Sequence, residues 1–544
     1  MSKSNPFVFL FAMLIFVAVF GGVSLTQGGL YIDTHEGDTY HLMDILFRME
    51  LGQKPHIDFV TPIGILAFLP IIIFMDAGFG VGMAFLWSQI AVALILLPIV
   101  VYAARTRLSP AVGYLFGLLV LGLTLAMTYG GSGTGASISM HYNRWAWAAS
   151  FLLLLIGILP AKGQPRQVVD GVIIGVLSAA LLMIKVTFFV CLVPVVAIAL
   201  LWSGQRTAFL VALVSGAAAV AASVAVFGVS HWVGYYNDLY SVATSIVRPS
   251  AGVGFDEIVA GPEFIGPLIV AMAAAMLLRR TDRDREGTLL LLLIPGFIYI
   301  VYQNFGNDPK WLLFLLVLLL SLKPEPGAYT LRNLDLASVS NWLAAAVIAF
   351  ALPSLYTMAR SPLSHMAIQS HKFIPMLPAQ PDGQDVFIRN DRANTLTAQF
   401  HVDEEVEGWS KYREIVGRGP VLEVAGIRQS PCEFFAATHA YFYELSADLR
   451  AANLPEDSQI FNADALSAHW LFGGHAPLKG ASPWYYGRLT GIENADYVMI
   501  PKCAIVWTVT MLVVEELKLA GAELTLVRDS DFMYLFEVEL PGEA

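Results

Sequence analysis

Long apolar runs alternate with short polar breaks along most of the chain, and the run lengths make the first assignment. The stretches 7–24, 81–103, 109–128, 143–160, 168–184, 187–203, 208–228, 263–279, 287–303 and 338–357 each fall in the range of about 17–25 residues that a helix needs to cross a bilayer. A shorter run at 311–322 is read as an eleventh span. The stretch 62–76, "PIGILAFLPIIIFMD", is short and carries Pro62 and Pro70, so it is expected to lie against protein rather than to cross. Beyond residue 358 the pattern changes. There "QDVFIRN", "SQIFNAD" and "ADYVMIP" read as strands, 505–520 as a buried helix and 522–539 as a closing strand pair. The expected fold class is a polytopic α-helical membrane protein of about eleven transmembrane helices. Its body is residues 1–358, and residues 359–544 form an extracytoplasmic α/β domain.

Composition agrees: 56% of the 544 residues are hydrophobic and 14% charged, against roughly a quarter charged in soluble domains. Residues 1–358 hold 18 Lys/Arg and 18 Asp/Glu, whereas 359–544 hold 14 and 25, so the tail carries the whole net charge of −11. With 62–76 not crossing and the N-terminus in the cytoplasm, the cytoplasmic side collects 12 of the body's 18 basic residues and 6 of its 18 acids. That orientation puts the loops 25–80, 129–142 and 229–262, the "QNFGNDPK" turn and the tail outside. No A-x-A-like cleavage site follows the first run, so it is read as an uncleaved anchor. The expected location is a membrane, with the N-terminus cytoplasmic and the tail outside. No basic tract or nucleic-acid motif occurs, which sets nucleic acid aside as a partner. Cys191 lies in an apolar run, while Cys432 and Cys503 fall in the tail, either as one disulfide or as two thiols.

Candidate chemistry crowds into "GGLYIDTHEGDTYHLMDILFRMELGQKPHIDFVTPIG", residues 28–64. Apolar positions 42, 45, 46 and 49 keep helical spacing, so 38–51 is expected as an amphipathic helix on the outer leaflet. Asp38 is read as its N-cap and Gly52 as its C-terminal stop. A groove bordered by this helix would be open to lipid. Asp33, His35 and His41 offer ligands for an optional divalent ion, with Glu36 and Asp38 beside them and no metal required. Lys185 interrupts two apolar runs, where a lysine implies a polar cavity or a pairing partner. Arg144 and Tyr142 in "MHYNRW", Arg248 in "SIVRPS" and Lys310 in "NDPKW" are further candidates to hold an anionic substrate. The glycine-rich 129–145 lacks the Walker lysine–serine pair and is not a nucleotide loop. In the tail, "HWLFGGHAPLKGASPWYYGRL" carries Trp470, Trp484, Tyr485 and Tyr486, read either as core or as an aromatic platform for a sugar.

The order Asp38, Arg48, Gly52, Pro55, Asp58-Phe59 and a Thr-Pro before an apolar run resembles the first outer loop of the GT-C glycosyltransferase superfamily. Its members include protein O-mannosyltransferases and lipid A aminoarabinose transferases. The resemblance implies transfer of a sugar from a polyprenyl-phosphate carrier to an acceptor hydroxyl or amine on a glycan, lipid or protein. It implies that Asp38 is the catalytic base, with Glu36 and Asp58 in support. Relatives often carry Asp-Glu where this chain has Asp38-Thr39. Two other readings differ in class. A secondary transporter would show repeats and midplane charges, which this chain lacks. A lipid-linked glycan ligase or polymerase would favour arginine over acid in its first loop.

Overall fold

The computed structural model describes residues 6–541 except 132, 134, 246, 248–253, 305, 332–333, 401–420, 437 and 456. Each of the eleven apolar runs folds as a helix. In chain order the helices are α1 (Pro6–Leu25), α2 (Glu36–Glu50), α3 (Leu69–Asp76), α4 (Val81–Arg107), α5 (Pro110–Leu125), α6 (His141–Ile158), α7 (Gln167–Ile184), α8 (Val186–Trp202) and α9 (Arg206–Phe227). There follow α10 (Val229–Ala243), α11 (Phe255–Ala260), α12 (Pro262–Arg279), α13 (Asp284–Tyr302), α14 (Trp311–Ser321) and α15 (Leu336–Met366). The tail adds α16 (Asn390–Ala393), α17 (Thr438–Ala451) and α18 (Trp507–Leu519). Six of them (α1, α4, α7, α9, α13 and α15) are long and apolar enough to cross a membrane by length and composition, and α5, α8 and α14 are apolar but shorter. At 1.5 Å per residue the eight residues of α3 reach about 12 Å, short of the roughly 30 Å hydrocarbon core of a bilayer. Almost every residue of α6 is buried, which makes it the central helix, whereas α9 packs on α7 with only Ala208 and Ser223 fully buried.

The strands are β1 (Leu30–Ile32), β2 (Thr330–Leu331), β3 (Leu334–Asp335), β4 (Phe373–Pro375), β5 (Val386–Arg389), β6 (Thr397–Phe400), β7 (Leu422–Val424), β8 (Ile427–Gln429), β9 (Cys432–Ala436), β10 (Ile460–Asn462), β11 (Tyr497–Pro501), β12 (Glu523–Asp529) and β13 (Met533–Glu539). The main tail sheet runs β10-β11-β13-β12, with β10 parallel to β11 and the other pairs antiparallel. Strands β5, β10 and β11, helix α18 and the closing β12–β13 pair fall where the sequence pattern puts them. Cys432 and Cys503 are disulfide-bonded, joining β9 to the residues just after β11.

The first loop belongs to the tail as much as to the helices. Its strand β1 pairs in parallel with β5 in register Leu30↔Val386, Tyr31↔Phe387 and Ile32↔Ile388. One apolar cluster joins Tyr40, Ile45 and Leu46 of α2 with Ile388, Phe442, Trp470, Leu471 and Leu535 of the tail. Burial of each such side chain contributes about 1.5–3 kcal/mol. The α2 helix therefore does not lie on a leaflet: the tail covers its apolar face. Its hydrophobic stripe reports that a face is buried, not what buries it. The tail also caps a membrane helix, because the Asp385 carboxylate accepts from the Gly82 and Met83 amides (2.9 and 2.8 Å) at the start of α4. Glycine is required at position 80, where a Cβ would stand 2.6 Å from that carboxyl carbon.

Candidate functional site

Helix α2 starts two residues before Asp38, with His35 in the left-handed region (φ 61°) as the N-cap residue. Asp38 thus sits in the first turn rather than at the cap. There it still faces the positive end of the helix dipole. Gly52, at φ +84°, follows the C-cap Leu51, where a left-handed glycine ends a helix.

Asp38 lines a cavity of about 730 Å³ between the helices and the tail, inside the usual range of about 300–1,000 Å³ for small-molecule sites. Asp38 and His41 come from α2, Met140 and Tyr142 from the start of α6, Lys185 from the α7–α8 junction, and Tyr236 and Tyr240 from α10. Tyr299, Tyr302 and Asn304 come from the end of α13, and Trp484 and Tyr486 from the tail. Of the aromatic run in the tail, Trp484 and Tyr486 reach the cavity. Trp470 instead donates to Asp44, and Tyr485 donates to Glu516.

Among the described residues, neutral side chains meet both charged groups of the cavity wall. Ser139 Oγ donates to Asp38 Oδ2 at 2.5 Å, so the loop before α6 fixes one carboxylate oxygen. The nearby Tyr129 phenol is pushed above its usual range, first by burial and then by the charges of Asp308 and Asp38. Lys185 occupies the one extended residue (φ −158°) between α7 and α8. Gly64 packs onto that junction so tightly that a Cβ would stand 2.1 Å from the Met183 carbonyl oxygen. The Lys185 amine donates to Asn304 Oδ1 and lies 5.3 Å from the centroid of the Tyr142 ring. Asn143 Nδ2 donates to the same Asn304 oxygen at 3.0 Å. A carboxylate able to take a proton and a cation able to meet an anion therefore share one aromatic-walled space.

The other predicted site residues are placed elsewhere. Glu36 is held by Arg392 of the tail in a two-pronged ion pair, with Arg392 Nη2 at 2.8 Å from Glu36 Oε2. Burial raises the pKa of Glu36, but the hydrogen bond and charge of Arg392 outweigh it and leave the group below its usual range. Glu36 is therefore a latch between loop and tail, not a second acid of the cavity. Asp58 Oδ2 accepts the Lys54 amide at 2.8 Å and shapes the turn before Phe59, outside the cavity wall. Arg144 is 1% exposed and stands behind the wall, with Nη1 3.5 Å from the Ser139 carbonyl oxygen. Its Nε and Nη2 have no hydrogen-bond partner among the described residues. Lys310 is behind the wall as well, paired with Asp308 and 5.3 Å from the Tyr129 ring centroid. Arg248 lies outside the described residues.

Asp33, His35 and His41 are not drawn together, and among the described residues no group of three or more His, Cys, Asp or Glu side chains forms a metal cage. His35 pairs with Ser137 Oγ (3.1 Å), the His41 ring meets Trp484 edge-on at 5.6 Å, and burial raises the pKa of Asp33. Sequence reasoning missed Ser139 and Asn304, neutral residues whose role is visible only once distant loops meet. It also missed the tyrosines of α10, which the i, i+4 pair Tyr236–Tyr240 in a polar loop could have signalled. Comparison with family models, curated protein sequences and solved structures found no match.

Proposed function

We propose that the protein is a membrane glycosyltransferase of GT-C type that moves a sugar from a polyprenyl-phosphate carrier to an acceptor on the outer face of the bacterial inner membrane. The observation that carries this reading is Asp38 and Lys185 in one cavity, between apolar helices and a soluble tail. In the proposed step Asp38 takes the proton of the acceptor hydroxyl. The freed oxygen attacks the anomeric carbon as the bond from that carbon to the phosphate oxygen breaks. The electron pair leaves on the phosphate, whose charge Lys185 meets. One displacement inverts the anomeric centre and needs no covalent intermediate. Tyr142 under the Lys185 amine and Trp484 across from His41 give flat faces for the sugar. The eleven helices are taken as eleven crossings with the N-terminus inside. The basic bias of the alternate loops supports that orientation, and the tail disulfide suits an oxidising compartment.

The test is sugar transfer by the purified protein in nanodiscs from long-chain polyprenyl-phosphate donors. Asp38→Asn should lower kcat by about 10²–10⁴-fold, the usual contribution of a general base, while the donor still binds. Undiminished turnover in Asp38→Asn would remove Asp38 as the base. A reporter that places residue 530 in the cytoplasm would defeat the arrangement as a whole.

A further inference from the structure

The polarity of α10 is inside out for a helix facing water. Its buried face carries His231, Tyr235 and Asp238, each no more than 6% exposed. Its open face carries a seam of Val229, Val233, Tyr236 and Tyr240, between 54% and 67% exposed and spaced 4, 3 and 4 residues apart, with the small polar Ser230 and Asn237 exposed beside it. Water-facing helices bury the apolar stripe and expose the polar one. The reverse arrangement is stable where the surroundings are hydrocarbon, with tyrosines at the interface.

The buried polar face is secured to the first loop. His56 Nδ1 and the Thr61 amide both donate to Asp238 Oδ2, at 2.8 and 3.1 Å. Tyr235 donates to the Leu182 carbonyl oxygen at 3.0 Å, just before Lys185. Contact between α10 and the loop is so close that a Cβ on Gly234 would stand 1.8 Å from the His56 carbonyl oxygen. At its other end α10 follows Gly228 (φ +85°), which turns the chain out of α9. Val226 of α9 and Val229 of α10, 74% and 66% exposed, flank that turn, so the apolar seam starts beside exposed apolar surface of α9.

Tyr236 and Tyr240 belong both to this seam and to the wall of the cavity, and across from them Tyr299 of α13 is 47% exposed and also lines it. The cavity thus opens to the outside along a tyrosine rim between α10 and α13. The apolar face of α2, by contrast, is covered by the tail.

We infer that the α10–α13 rim is a doorway from the bilayer: α10 lies in the outer leaflet, and a long-chain lipid enters between the two helices with its anionic end toward Lys185. The placement of α10 in lipid stands on its own polarity, whereas the direction of the anionic end rests on the glycosyltransferase reading. The doorway selects chain as well as head group, since the wall behind the rim includes Leu239, Val242 and Ala243.

Two measurements on the full chain in nanodiscs decide the matter. Nitroxides on Val229→Cys and Val233→Cys, in a Cys191→Ser background, should meet molecular oxygen and be shielded from a water-soluble nickel chelate. Nickel accessibility equal to that of a label on the tail would overturn the placement. A diazirine-bearing long-chain alkyl phosphate should label 229–243 and 284–302. Unlabelled alkyl phosphate at about ten times its Kd should cut that labelling about tenfold, with labelling of α9 unchanged. Equal loss at α9, or no competition, would overturn the doorway. Competition by the matching alcohol as strongly as by the phosphate would keep the doorway and defeat the Lys185 phosphate site. Competition by inorganic phosphate alone would show that the head group binds without a chain and would overturn the lipid.

Discussion

Asp44→Asn is the substitution that best tests how the first loop is held. Asp44 and Arg48 are one helical turn apart with both side chains 0% exposed, and Arg48 Nε stands 2.5 Å from Asp44 Oδ1. The other carboxylate oxygen accepts from Ser467 Oγ (3.0 Å) and Trp470 Nε1 (3.1 Å), both in the tail. Arg48 in turn donates to the Leu478 carbonyl oxygen at 2.8 Å. Removing one charge of a buried pair strands the other and costs about 3–5 kcal/mol. Asparagine keeps one acceptor oxygen for the tail donors, so the lower end, about 3 kcal/mol, applies. At roughly 2–4 °C per kcal/mol for a domain of this size, the tail transition should fall by about 6–12 °C. Thermal unfolding in detergent, with hydrogen exchange of 36–50 and 468–472, measures both the size and the place of the effect. Adding Arg48→Met should recover most of the loss, because no lone charge then remains buried. A change of less than about 1 °C in Asp44→Asn, a fraction of the shift that one kcal/mol produces, would refute the reasoning.

Three further outcomes follow from the site and its frame. Lys185→Met should weaken binding of a long-chain phosphate about 10–100-fold, the loss of one charged hydrogen bond, with Lys185→Arg in between; unchanged binding in a titration would remove Lys185 from the site. Glu50 is pushed up from its ordinary 4.5 to about 7, first by burial and then by Asp382 and Asp76. The folded chain therefore holds that proton where the unfolded chain has lost it. This contribution is full below pH 4.5 and is lost as pH rises through about 7. Glu50→Gln should flatten the fall in the tail's Tm between pH 5 and pH 8, and an identical pH profile would count against the assignment. Replacing Cys432 and Cys503 by alanine opens a crosslink across a sequence separation of 71, worth about 4 kcal/mol in chain entropy; an unchanged Tm would show that the tail does not depend on it.

Apolar run length was enough to find eleven helices, and alternation with β-rich composition found the tail's main strands. Those signals are local: they depend on which residues are neighbours in sequence. Asp38 was singled out by the register of the family resemblance and Lys185 by its cost in an apolar setting, and the structure sets both on the wall of one cavity. What stayed hidden came from long-range contacts. Glu36 looked like a partner of Asp38 because it is two residues away, yet its partner Arg392 comes from the tail. Three residues are too few for periodicity to signal β1, and only β5 makes it a strand. Arg144 and Lys310 carry the right charge for an anion, but charge does not tell which side of a wall a side chain occupies.

The Glu36–Arg392 latch spans 356 residues, and that interval is also a length of time. At about 5–20 residues per second, a ribosome needs roughly 20–70 s to deliver the arginine after the glutamate has emerged. Throughout that wait β1 has no neighbouring strand and the apolar stripe of α2 has no cover. The acid-bearing loop therefore has neither its strand partner nor its apolar cover until the tail has been made. A product truncated before the tail would carry every long apolar helix and still lack Trp484 and Tyr486, which complete the wall of the cavity.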